Sequence, residues 1–288
     1  MAGLLEWLKD GPLLTDGAWG TQLQALGLEP GRAPDYWNLE YPDRVFSVAR
    51  AYVEAGSRII LTNTFRSNAI AQPESRELIR DFNRAGVEIS RRAAEGLARV
   101  VASIGPTGKL LISGEVSVEQ VAAAFAEQAN ALAEAGPDAL LIETMSDIEE
   151  SIIALQAAKA TGLPVIVSFA FDTGKQKDRT MMGATPEQVA RAMEEAGADA
   201  VGANCGAGIE QFAPICRRLK QSCGLPVWIK PNAGLPELTD EGIVYRSSPE
   251  RFAAELPAML EAGANFIGGC CGTTPDFIRA LNQAQRRA

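Results

Sequence analysis

Short apolar runs alternate with longer amphipathic stretches almost from one end of the chain to the other. Continuous runs such as Val165, Ile166, Val167, Ser168, Phe169 read as strands buried on both faces. Strands are predicted at 13–16, 58–62, 100–103, 139–143, 165–170, 200–204, 227–230 and 265–269. Between them the apolar positions recur at helical spacing, predicting helices at 42–55, 76–97, 118–135, up to about 160, 186–196, 209–221, 249–262 and from 275. Glu-Ala-Gly recurs at 54–56, 134–136, 195–197 and 261–263, where glycine is the expected residue just past a helix end. Eight strand-then-helix units are the count of a (β/α)8 TIM barrel. A doubly wound open sheet is the rival, but no G-x-G-x-x-G follows the first strand.

With no linker or low-complexity stretch, one domain over 1–288 is expected. Net charge is −9, from 36 acidic and 27 basic residues, which disfavours nucleic acid as a partner. No apolar run reaches the roughly 18 residues of a membrane span, and the first ten residues do not read as a signal peptide, so a cytoplasmic location is expected. Histidine is absent, which removes the commonest general base and zinc ligand. Five cysteines in such a chain point to metal or catalysis before disulfides.

Barrel chemistry sits where strands end and the following loops begin. Those positions carry Asp16-Gly17, Thr62-Asn63-Thr64-Phe65, Glu143-Thr144, Asn204-Cys205, Lys230-Pro231-Asn232 and Gly268-Gly269-Cys270-Cys271-Gly272. Cys205 and the Cys270-Cys271 pair end the sixth and eighth strands, which flank the seventh, so their sulfurs can converge above it. The glycines at 268, 269 and 272 are expected to let both adjacent cysteines turn inward. Three thiolates suit Zn(2+), and three protein ligands leave a fourth position open. Such a centre is anionic, so a substrate thiol bound there loses its proton yet stays nucleophilic, which favours thiolate alkylation over water activation. A vicinal disulfide is the lesser alternative, and Cys216 and Cys223 read as packing or surface residues.

Asn232, between the cysteine-bearing strands, is either a fourth ligand in the absence of substrate or a turn-forming residue. Asp16 and Glu143 could bind an ammonium group, although Asp-Gly is also a common turn and Glu143 could be a solvated strand end. The Gly17 N–H, Asn63 and Thr64 could take a carboxylate, with one of Thr62 and Thr64 expected to face inward. Together these would grip an α-amino acid whose thiol reaches the metal.

At these residues the sequence resembles the homocysteine S-methyltransferase family. The matching segments are Asp16-Gly17-Ala18-Trp19-Gly20-Thr21, Glu54-Ala55-Gly56, Thr62-Asn63-Thr64-Phe65, Ile104-Gly105-Pro106-Thr107, Glu143-Thr144, Asn204-Cys205, Pro231-Asn232-Ala233-Gly234 and Gly268-Gly269-Cys270-Cys271-Gly272-Thr273. The resemblance implies a zinc-bound homocysteine thiolate attacking an activated methyl group to give methionine. It places zinc on Cys205, Cys270 and Cys271, the amino group at Asp16 and Glu143, and the carboxylate at Gly17 and the segment Thr62, Asn63, Thr64. The folate- and cobalamin-binding modules of the cobalamin-dependent methionine synthases do not fit in this length. The donor is therefore expected to be a small methylated cation, or a methyl-corrinoid on a separate protein, unless the chain is an excised domain. Trp19, Phe65 or Tyr245 could face a sulfonium or quaternary ammonium donor. Two rival functions stay open: a corrinoid-linked methyltransferase subunit, and a non-catalytic barrel with a structural or redox cysteine cluster.

Overall fold

The computed structural model describes residues 3–239 and 242–287. Its strands, in chain order, are β1 (Leu13–Leu14), β2 (Ile59–Leu61), β3 (Arg99–Ile104), β4 (Ala139–Met145), β5 (Val165–Phe169), β6 (Ala200–Gly208), β7 (Val227–Asn232), β8 (Glu237–Thr239), β9 (Gly242–Val244) and β10 (Ala264–Ile267). The helices are α1 (Leu4–Trp7), α2 (Gly20–Ala25), α3 (Trp37–Glu40), α4 (Pro42–Ala55), α5 (Ile79–Ala94), α6 (Val118–Glu134), α7 (Ile148–Lys159), α8 (Pro186–Glu195), α9 (Phe212–Ser222), α10 (Pro249–Ala254), α11 (Leu256–Glu261) and α12 (Pro275–Gln285). Eight parallel strands form one sheet in the order β1-β10-β7-β6-β5-β4-β3-β2. The two ends of that order meet where the Arg58 N–H donates to the Leu14 carbonyl at 2.8 Å, closing a TIM barrel. β8 and β9 pair only with each other, as a hairpin in the loop after β7.

Helix ends fall where the backbone chemistry changes. α4 starts on Pro42 and stops at Gly56, which is left-handed at φ 108°. The helix expected over 76–97 opens as a 3-10 turn, Pro73–Leu78, and ends early because Glu95 and Gly96 both turn left-handed. The helix expected over 249–262 divides at Glu255, as Pro257 lacks the N–H that would continue the ladder. The helices at α2 and α3 and the β8–β9 hairpin are additions to the predicted pattern.

Strand alternation divides the interior into layers. Ile59, Leu61, Val101, Ala139, Leu141, Ile166, Ala200, Trp228 and Phe266 pack inside the barrel, and Leu4 and Trp7 of α1 join them from below. Truncating a side chain such as Phe266 in this floor costs about 3–5 kcal/mol. Two residues further along, at the same parity, the sequence changes character: Val101 gives way to Ser103, Leu141 to Glu143, Ile166 to Ser168 and Trp228 to Lys230. All four of these polar side chains are buried. The barrel therefore has an apolar floor and a polar upper layer.

Candidate metal centre and substrate cavity

Above that polar layer, Cys205, Cys270 and Cys271 bring their sulfurs within 4.8 Å of one another. Cys205 Sγ lies 3.1 Å from Cys270 Sγ, and all five cysteines are free thiols. The two cysteine segments reach this point differently. Cys205 sits in β6 at a register shift against β7, with φ +59°. Cys270 and Cys271 lie in a turn after β10 that is stitched to its neighbours. The Cys270 N–H donates to Pro231 O at 2.8 Å, and the Cys271 carbonyl accepts from the Ala233 N–H at 2.9 Å. Thr273 Oγ1 donates to Cys270 O at 2.7 Å.

The glycines here serve two needs. A Cβ on Gly268 would lie 2.0 Å from Thr15 Oγ1, so this position permits close approach of β10 to β1. Gly272 instead supplies a left-handed turn at φ +80°, under the Tyr245 ring. Conformational freedom, expected at 268, 269 and 272, is the reason at Gly272, whereas Gly269, like Gly268, has no room for a Cβ, which would lie 2.4 Å from Thr273 Oγ1.

As thiols the three are strongly coupled. Hydrogen bonds from Cys205 and Cys270, and one from Tyr245, hold Cys271 well below the usual thiol range. Cys205 is pushed up by its hydrogen bonds with the other two and by burial. Tyr245, considered as part of an aromatic cage, instead contacts Cys271, and its own ionisation is pushed up by burial and by that neighbouring charge.

A cavity of about 330 Å³ opens beside the sulfurs. Gly17, Trp19, Thr62, Asn63, Phe65, Arg66, Ser103, Glu143, Thr144 and Lys230 line it with the three cysteines. Glu143 is buried and accepts a hydrogen bond from Ser103 Oγ. Burial, reinforced by the charge at Cys270, pushes its carboxyl up to about 7 against the pull of Lys230.

The other predicted site residues are placed with equal clarity. Asp16 is fully buried and its carboxylate is already shared: Oδ1 pairs with Lys230 Nζ, and Oδ2 accepts from Trp19 Nε1 at 2.7 Å and from the Leu61 N–H at 2.7 Å. Thr62 and Thr64 lie on one side of the chain, their hydroxyls 2.6 Å apart, and of the two only Thr62 lines the cavity. Thr64 Oγ1 donates to Ser103 O, and Asn63 Nδ2 to Pro34 O and Asn38 Oδ1. These side chains brace the wall with the groups expected to hold a carboxylate. Gly17 lines the cavity, and among the described residues its N–H meets no protein acceptor. Asn232 Nδ2 donates to Gly206 O at 2.8 Å, and its buried Oδ1 has no hydrogen-bond partner.

Lys230, named among the strand ends in the sequence, is given no role there. It is 1% exposed and lines the cavity. A signal was available: it stands two positions after Trp228 on one strand, so it shares that residue's inward parity.

Among the described residues no helix is long and apolar enough to cross a membrane. The family model for homocysteine S-methyltransferase matches residues 13–285. Methionine synthase of Mycobacterium leprae (strain TN) is 33% identical over 302 aligned positions, spanning 99% of this chain but 25% of its own length. The methionine synthase of Mycobacterium tuberculosis is 32% identical, with 98% and 25% covered. The chain thus spans about a quarter of these relatives. The metallated form of the homocysteine methyltransferase MmuM from Escherichia coli superposes with a TM-score of 0.81 at 26% identity, over 99% of this chain and 98% of that one. A carboxyl transferase domain from Rhizobium etli pyruvate carboxylase, at 14% identity and a TM-score of 0.56, shares the fold alone. With its barrel, its triad of cysteines at the barrel mouth and this match over nearly its whole length, the chain belongs to the homocysteine S-methyltransferase family.

Proposed function

We propose that this protein is a zinc-dependent homocysteine S-methyltransferase that forms methionine, with residues 1–288 acting as one barrel domain. The observation that carries this reading is the convergence of three thiols beside a cavity that also holds a buried carboxylate. The donor set fits zinc. Tetrahedral ligation with Zn–S of about 2.3 Å needs sulfurs about 3.8 Å apart. The observed 3.1 Å contact and 4.8 Å limit bracket that spacing. Asn232 Oδ1, buried without a partner, supports its reading as a fourth ligand that a substrate thiol displaces. When bound, zinc supplies a soft Lewis centre at which a thiol loses its proton and remains a nucleophile.

The chain's own residues then orient the amino acid. Glu143 meets the ammonium group, which supplies the positive charge that its buried carboxyl lacks. Asp16 acts one step back, holding Lys230 against the cavity and Trp19 in its wall. The unspent Gly17 N–H supports the carboxylate reading for that residue. The sulfur forms its bond to the donor's methyl carbon as the donor's own bond to that carbon breaks, its electron pair leaving with the donor. Five free cysteines suit a reducing compartment, the cytoplasm.

A corrinoid-protein-linked reading has its own support. Ile112, Met181, Leu235, Leu238 and Ile243 stand 82%, 59%, 59%, 86% and 64% exposed in the segments after β3, β5 and β7, on the rim where those strands end. Large exposed apolar side chains on one rim are what a protein partner would cover. A donor screen separates the two readings. Zinc-loaded protein is given homocysteine with S-methylmethionine, betaine, free methylcobalamin or a methylated corrinoid protein, and methionine is measured. Turnover with a small sulfonium or ammonium donor establishes the first reading; turnover only with a methylated corrinoid protein establishes the second. No methionine from any of them refutes the assignment.

A further inference from the structure

Two residues near the sulfurs hold a backbone conformation that their side chains disfavour. Thr144 has φ +63° and Cys205 has φ +59°. For a β-branched residue such as threonine this is an outlier, and each such residue costs about 1–3 kcal/mol. At both places the sheet register slips, between Ile142 and Met145 on β4 and between Cys205 and Gly208 on β6. The slip on β4 has a visible product. Consecutive strand residues normally point to opposite faces, yet Glu143 and Thr144 both line the cavity.

One side chain holds both strained residues. Asn204, fully buried, accepts from the Thr144 N–H at 2.9 Å and from Ser168 Oγ at 2.7 Å. Its Nδ2 donates to Thr144 Oγ1 at 2.7 Å and reaches Cys205 Sγ at 3.5 Å. Both donors and both acceptor sites of the amide are used, which fixes its orientation. Through it β4, β5 and β6 are joined at one level, with the ammonium-binding carboxylate on β4 and a metal ligand on β6.

We propose that Asn204 is a positioning residue that fixes the span between Glu143 and the Cys205 sulfur, and so sets the length of thiol amino acid the site accepts. The inference rests on the reading of Glu143 as the ammonium partner. An amino acid held at its ammonium end has only one reach to the metal. Homocysteine and cysteine differ by one methylene, roughly an ångström of reach, and a misplacement of about 1 Å costs about 10²-fold. A clamp of two hydrogen bonds across two strained residues is stiff enough to enforce that difference. A lone turn at either strand end would relax and accept both thiols.

The test is a binding measurement that needs no methyl donor. Cobalt(II) replaces zinc, and homocysteine and cysteine are titrated separately while the thiolate-to-cobalt absorption is followed. The wild-type protein is expected to bind homocysteine at least about tenfold tighter than cysteine. In Thr144→Gly and in Asn204→Ala that ratio narrows by about tenfold, with cobalt still bound one to one. Thr144→Ser, which keeps the hydroxyl, retains the wild-type ratio. Glycine favours the left-handed conformation, so Thr144→Gly folds even if Asn204→Ala does not. An unchanged ratio in Thr144→Gly overturns the inference, as does loss of cobalt from that variant, which would make the clamp a support for the metal alone. Failure of wild-type cobalt protein to bind either thiol overturns the proposed function itself and is recognised by that difference.

Discussion

The two rims of the barrel use left-handed backbone in opposite ways. On the lower rim, where helices return to strands, the residues are mostly glycines such as Gly56, Gly136, Gly197 and Gly263, with φ of 108°, 77°, 86° and 94°, and Glu95 is the exposed exception at the end of α5. Glycine carries no steric penalty there, and each one simply ends a helix. The upper rim has such glycines too, among them Gly206 and Gly272, but there Thr144 and Cys205 take the same conformation beside the sulfurs. Both carry side chains that the site uses, so the steric penalty is retained in exchange for a hydroxyl and a sulfur in fixed places. Most chain reversals are assigned to the residue with no side chain, and beside the sulfurs strain is kept on two side chains that are aimed.

The largest expected effect that sharpens this contrast is at the upper rim. Cys271→Ala should lower bound zinc from one per chain to none and abolish methionine formation, measured by metal analysis and by product assay. The apo form of the variant should melt where the apo wild type melts. If removing zinc unfolds the wild type, the cluster is structural and the contrast between rims collapses.

Next comes the buried pair. Lys230→Met strands the Asp16 carboxylate in the interior and should cost about 3–5 kcal/mol in a denaturant titration. The double variant Asp16→Asn/Lys230→Met should recover most of that loss while thiol binding stays impaired. Full recovery of binding in the double variant would remove Lys230 from the site.

A pH effect of comparable size belongs to the upper-rim loops. Asp35 accepts from the Arg66 N–H at 3.2 Å and from Ser67 Oγ, and burial pushes its carboxyl from 3.8 up to about 6. The fold therefore favours the protonated acid. Its stabilising contribution, roughly 3 kcal/mol, is present below the unfolded value and is lost as pH rises through about 6. Asp35→Asn should remove that slope from the difference between wild-type and variant unfolding curves. An identical pH dependence in both would exclude Asp35 as its source.

The smallest pair tests the contrast directly. Gly197→Ala puts a side chain at φ 86° and should cost about 1 kcal/mol without altering thiol binding. Thr144→Gly relieves strain, while giving up the Thr144 hydroxyl bond, and should raise or hold the melting midpoint while thiol selection suffers. Matching signs in both stability and binding would mean that the rims do not differ.

Much of this architecture is legible in the chain. Pro42 and Gly56 bound α4 where the sequence puts them, because both act through local backbone chemistry. The convergence of Cys205 with Cys270 and Cys271 follows from strand order alone. The short helix at Gly20–Ala25 and the hairpin of β8 and β9 have too few residues to show a period. The role of Asn204 was hidden for another reason. A strand-end asparagine beside a cysteine reads as part of a motif, and only the folded chain shows that it bonds to residues 36 and 60 positions away. The engagement of Asp16 by Lys230 depends likewise on a reach from β7 past β10 to the end of β1 that no local pattern reports.

The floor built by Leu4, Trp7, Trp228 and Phe266 packs the barrel from below, so among the described residues that end offers the cavity no route. Under the proposed methyl transfer, this arrangement would order the traffic. The thiol that must reach the deep sulfurs enters first, and the donor follows and stands between it and solvent. After transfer, the spent donor leaves before methionine can. Steady-state kinetics should therefore be sequential and ordered, with methionine competing against homocysteine for the free enzyme and the demethylated donor giving mixed inhibition against the donor.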